Sequence, residues 1–145
     1  MREIKFRIWD DQLEKMVLMP SINSFRSSHL PSEAGTPVDY EITSGIVEKT
    51  IQENSEYTNI CNDMDIMQFT GLLDKNGIEI YEGDIVENDF GNGSYVSGKI
   101  SGTVIWNNKE AKFDIDRGLL DECLFNENIE VIGNIYENPE LIKTK

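Results

Sequence analysis

The residues able to do chemistry are few, and their spacing is unhelpful to most reactions. His29 is the single histidine, set in a serine- and proline-rich stretch with no cysteine or carboxylate at ligand spacing. A zinc site needs several Cys or His ligands, and a histidine-based triad needs a partnered nucleophile, so both are excluded as readings of this chain. Cys61 and Cys123 have no CxxC spacing. Two lone cysteines read as free thiols, although their number also permits one disulfide. Asp114 and Asp116 stand two apart in an expected strand and so share a face, as would Asp63 and Asp65 in an extended stretch. Such pairs can hold a hard cation or work as acid and base, but without further ligands a solvated strand face is the preferred reading. Gly91-x-Gly93 is not followed by a helix that could hold a phosphate. Asp74-Lys75-Asn76-Gly77 fails as a calcium loop, because Leu72 would occupy the first ligand position and Gly83 that of the bidentate glutamate. No catalytic residue, metal site or cofactor is therefore assigned. Phe90, Tyr95 and Trp106 supply aromatic surface for a peptide groove, with core packing the competing role for Trp106. Together with Asp114 and Asp116 they form the candidate partner-facing set.

These groups must be positioned by strands. Ile4 to Ile8 alternates apolar and charged residues, and Asp10-Asp11-Gln12 supplies turn chemistry before Met16 to Met19, which predicts a β-hairpin ended by Pro20. Residues 20–39 hold serines and three of the four prolines without a period, and read as a loop excursion contributing little to a core. Tyr40 to Thr50 alternates weakly as one strand, and Gln52 to Asn59 reads as a polar connector. From Ile66 the spacing is that of a meander: Ile66–Thr70, a turn at Asp74–Gly77, Ile85-Val86 opening another strand, Lys99–Trp106 with a possible bulge at Gly102, a turn at Asn107-Asn108, and Ala111–Ile115. Leu119, Leu120, Cys123 and Leu124 share one face of a short helix, Ile129–Tyr136 is a last strand, and Asn138-Pro139-Glu140 opens a terminal helical turn. Short strands at close spacing favour a small barrel or sandwich.

The chain has 145 residues, 13 of them basic and 27 acidic, for a net charge of −14. Residues 61–145 carry 7 basic and 17 acidic groups, so the second half holds most of the excess. Such a surface repels a phosphate backbone and argues against direct nucleic-acid binding. Solubility alone accounts for acidity of this kind, and a basic partner is the sharper reading. The longest apolar run, Met16 to Met19, is too short for a signal peptide or a membrane span.

Three blocks carry a resemblance: Arg2-Glu3-Ile4-Lys5-Phe6-Arg7-Ile8-Trp9-Asp10; Met67-Gln68-Phe69-Thr70-Gly71-Leu72 through Tyr81-Glu82-Gly83-Asp84-Ile85-Val86; and Val131-Ile132-Gly133-Asn134-Ile135-Tyr136-Glu137-Asn138-Pro139. In order and wording they resemble the YopX-like family of phage and prophage proteins. Leu73 and Ile78 depart from that pattern, which tends to be charged there. The resemblance implies a mainly β fold with a small SH3-like β-barrel in the C-terminal part; joined to the pattern above, the expectation is an N-terminal β-hairpin and loop-rich region over 1–62, the barrel over 63–145, and one or two short helices. It implies no established biochemical role and no catalytic residues; the short apolar runs lead to the expectation of a cytoplasmic protein, which in a prophage context means the bacterial host. The expected function is that of a non-enzymatic accessory protein binding a host or phage protein. An acidic nucleic-acid mimic that occupies a DNA-binding protein is the alternative, and a carboxylate-dependent hydrolase is third.

Overall fold

In the computed structural model the described residues are 3–11, 14–19, 30–31, 37–43, 46–53, 56–62, 65–89, 98–116 and 128–142. The fold is mainly β. The chain divides into two compact units, one formed by residues 4–66 and the other by 1–3 with 67–145.

The first unit contains the expected hairpin: β1 (Phe6–Asp10) and β2 (Lys15–Met19) pair antiparallel, Phe6 opposite Met19 and Asp10 opposite Lys15. Alternation buries Ile8 and Val17, which stand opposite one another. A second sheet runs β3 (Leu30–Pro31), β4 (Pro37–Thr43), β5 (Ile46–Glu53) and β6 (Glu56–Asn62) in chain order. This corrects two expectations. The stretch 40–50 is not one strand, because β4 stops at Thr43 and β5 pairs back on it from Ile46. The polar stretch 52–59 is not a connector, since most of it lies in β5 and β6, paired from Glu53↔Glu56 to Val47↔Asn62. Backbone pairing needs no apolar side chains, so hydrophobic periodicity misses it. The excursion at 20–39 is partly strand as well, with Leu30 opposite Val38; residues 20–29 and 32–36 lie outside the described residues.

The second unit is built on β7 (Ile66–Leu73), β8 (Glu79–Tyr81), β9 (Asp84–Asp89), β10 (Lys99–Asn107), β11 (Lys112–Ile115) and β12 (Ile129–Asn134). Four of these form a sheet in the order β11-β10-β9-β12. Lys99 to Thr103 pair with β9 without a register shift, so Gly102 is no bulge; the one in this sheet lies in β12, between Val131 and Gly133. From Val104 to Asn107 the strand pairs instead with β11. By changing partners midway, β10 carries the sheet around a corner. Ile80, Val86, Val104 and Ile129 meet in the core, joined by Leu72, Phe113, Ile115 and Val131. A 3₁₀ turn at Pro139–Ile142 follows β12, as the Asn-Pro-Glu signal predicts. The helix expected over 119–124 lies outside the described residues.

Two clips tie the β7–β8 hairpin to this sheet. At one end Asp74, 6% exposed, accepts three backbone N–H groups: Asn76 at 2.8 Å and Ile78 at 2.9 Å on Oδ1, and Val131 of β12 at 3.1 Å on Oδ2. Lys75 N–H adds a bond to the Ile129 carbonyl at 2.9 Å. Burial pushes the Asp74 carboxyl up, but the N–H donors of Ile78, Val131 and Asn76 more than offset it and hold it below its ordinary value. At the other end Gly83 donates its N–H to the Val104 carbonyl and accepts from Ile135 N–H, both at 2.9 Å. Its φ of +77° is left-handed, and a Cβ there would sit 3.4 Å from the Ile135 and Met67 side chains. Asp84 completes this corner by accepting the Tyr81 N–H at 2.7 Å.

Gly83→Val combines a left-handed backbone with branching against Ile135 and Met67, and should cost about 2 kcal/mol or more in urea unfolding; a loss within experimental error would show that the clip is dispensable. Asp74 is tested by pH. Its folded pKa lies below the ordinary value of 3.8. The stability it contributes is therefore complete above that value and fades as pH falls through the depressed one. Asp74→Asn should lower stability at neutral pH and flatten the acid limb as pH falls through and below the ordinary carboxylate range. Parallel acid limbs for the two proteins would contradict the assignment.

Candidate functional site

The candidate residues that fall within the described chain lie on the β10–β11 hairpin, and its register distributes them. Ile105 faces Asp114, Trp106 faces Phe113, and Asn107 faces Lys112. Asn107 shapes the turn, its Oδ1 accepting Lys109 N–H at 3.0 Å and Glu110 N–H at 3.3 Å. Ala111 takes a φ of +52° to bring the chain back. Because successive residues alternate, Trp106 shares its face with Val104 and the core, whereas Asp114 lies on the other face with Ile105 and Thr103.

Trp106 stands where the core face reaches solvent. Its ring meets Phe113 edge-on, with centroids 5.0 Å apart, and 41% of the residue remains exposed. Phe113 in turn packs against the core cluster, so the indole rests on a rigid support. Phe90 and Tyr95 lie outside the described residues.

The two carboxylates of the set are held in place by the chain. Asp114 accepts a bond from the Asn107 amide at 3.3 Å. Asp116 exchanges bonds with Thr103, its N–H donating to the carbonyl at 2.9 Å and its Oδ1 accepting the N–H at 3.0 Å. The same outer face carries a run of charge across the neighbouring strands. Glu87 and Glu130 stand directly opposite each other, a repulsive pairing, and each is matched by a lysine. Lys99 lies 2.6 Å from Glu87, and Lys75 lies 2.5 Å from Glu130. The hydrogen bond and charge of Glu87, with Asp89 and Glu130 nearby, hold the Lys99 ammonium above its usual range. Among the described residues no cluster of three His, Cys, Asp or Glu side chains is placed to bind a metal ion. The most deeply buried carboxylates of this unit, Asp74 and Asp84, serve backbone N–H groups.

Asn88 is the residue that sequence reasoning missed. It is 2% exposed, stands between Ile100 and Ile129 in register, and neither polar atom of its amide has a hydrogen-bond partner among the described residues. The available signal was phase: in Asp84-Ile85-Val86-Glu87-Asn88-Asp89 the amide falls on the same face as core residue Val86.

Comparison with known proteins adds one decisive observation. The family model described as YopX protein matches residues 5–143. The chain belongs to the YopX family. Among solved structures, this YopX chain is similar to protein EF1440 from Enterococcus faecalis, with 27% identity over 97% of this chain and 98% of that one, and a TM-score of 0.55. No curated protein matches. The blocks that carry the YopX resemblance serve architecture here. Beyond Gly83 and Asp84, a Cβ on Gly133 would come within 2.5 Å of Asn138 Oδ1. Asn134 Oδ1 in turn accepts the N–H groups of Tyr136 and Glu137 at 3.0 and 2.9 Å. The departures from the YopX pattern, Leu73 and Ile78, are 56% and 50% exposed.

A buried amide without partners costs on the order of 1–3 kcal/mol. Asn88→Val, which suits the strand and its isoleucine neighbours, should raise the urea midpoint; an unchanged or lower midpoint would show that the amide is satisfied in solution.

Proposed function

We propose that this YopX-family chain is a non-enzymatic accessory protein of phage or prophage origin that acts in the bacterial cytoplasm by binding another protein. The observation that carries this reading is Trp106, a large aromatic group 41% exposed and braced by Phe113. Rigid tryptophans of this kind dominate binding energy at protein interfaces, since they bury much apolar area while losing little rotamer freedom. The net charge of −14 favours a basic partner, by steering its approach.

The nucleic-acid mimic has less support. Mimicry calls for uninterrupted negative charge, whereas Lys75 and Lys99 sit among Glu87, Asp89 and Glu130. A carboxylate hydrolase also has little support, since Asp74, Asp84 and Asp116 each bind backbone N–H groups. Among the described residues no helix is long and apolar enough to cross a membrane.

The test is capture of a defined partner from bacterial lysate on immobilised chain, followed by titration of that partner once purified. Trp106→Ala should keep the β-type circular dichroism and weaken binding by about tenfold or more. Undiminished affinity in the variant would remove Trp106 from the interface and this reading with it.

A further inference from the structure

On the outer face of β9 and β10, opposite Trp106, the C-terminal 3₁₀ turn leaves a notch that has space for one water-sized group and opens to solvent. It is lined by Ile85, Ser101, Thr103, Asp116, Leu141 and Ile142. Its lining is of three kinds. Ile85 is buried at 1% exposure, while Ile142 is 38% exposed. Ser101 and Thr103 bring hydroxyls, and Asp116 brings a carboxylate. Two hydrogen bonds to Thr103, one through the Asp116 N–H and one to its Oδ1, fix Asp116 and leave Oδ2 without a protein donor among the described residues. Lys75, Lys99 and Lys112 are each held by a glutamate.

We propose that this notch is a seat for the ammonium group of a lysine side chain presented by a protein partner. An ammonium is close to a water molecule in size and carries three donors for which a carboxylate and hydroxyl oxygens are suitable acceptors. The methylene stem can lie along Leu141 and Ile142 while the charge reaches Asp116. A guanidinium, planar and broader, is a poorer match to a space of this size. Charge complementarity supports the same occupant, because a chain of net charge −14 concentrates cations at its surface. The notch and the Trp106 surface lie on opposite faces of β10, and either can fail without the other.

The experiment is a titration of the full chain with Nα-acetyl-lysine methylamide, followed by amide and methyl resonances, with the norleucine and arginine counterparts run alongside. Lysine should produce saturable shifts at the Thr103 amide and the Ile85 and Ile142 methyls, and the two counterparts should not. Asp116→Asn keeps an acceptor for the Thr103 N–H and should weaken lysine binding by about tenfold or more. Ser101→Val fills the notch without touching Asp116 and should abolish the shifts. Equal shifts from norleucine or arginine, no saturable shift from lysine, or unchanged binding in both variants would overturn the proposal.

Discussion

A single buried carboxylate centres the contact between parts of the chain that lie far apart in sequence. Asp74 accepts two N–H groups from its own turn and a third from Val131, 57 residues further on. Burying a charge is costly, and only well-aligned donors make it tolerable. That demand gives the contact its value: apolar packing tolerates small shifts between elements, whereas a carboxylate with three backbone donors tolerates very few. With the hairpin anchored here and at Gly83, Ile80 and Leu72 are delivered onto the same core as Val86, Val104 and Ile129. The packing is made possible by a polar contact at its edge.

Much of this architecture was legible in the residues. Alternation in Ile4–Ile8, glycine at Gly77 and Gly83, and Asn-Pro-Glu at 138–140 each encode local geometry, and local geometry is what a sequence states most directly. The β4–β6 meander was not legible, because strands in polar sequence are specified by backbone pairing and turn placement. A Ser-Gly pair at 44–45 is turn chemistry of that kind, overlooked beside the weak alternation around it. Gly102 misled for the opposite reason. A glycine in a strand suggests a bulge, yet its register is continuous and the irregularity falls in β12.

The candidate site was legible in content and not in arrangement. Trp106, Asp114 and Asp116 were singled out by residue type, but a period of two places the tryptophan on one face of the sheet and the carboxylates on the other. One expected surface therefore divides into an aromatic one and an acidic one, separated by the thickness of a strand pair. The lysines that interleave Glu87 and Glu130 come from the β7–β8 turn and from β10, elements far apart in the chain. No reading of net charge would find them.

The reach of Asp74 also bears on how the molecule is made. Synthesis proceeds from the N-terminus, and the β7–β8 hairpin emerges well before Val131 exists to meet it. Until then the carboxylate has only the donors of its own turn, Asn76 and Ile78. The ribosome's progress to β12 therefore sets the moment at which the hairpin can be clamped to the sheet.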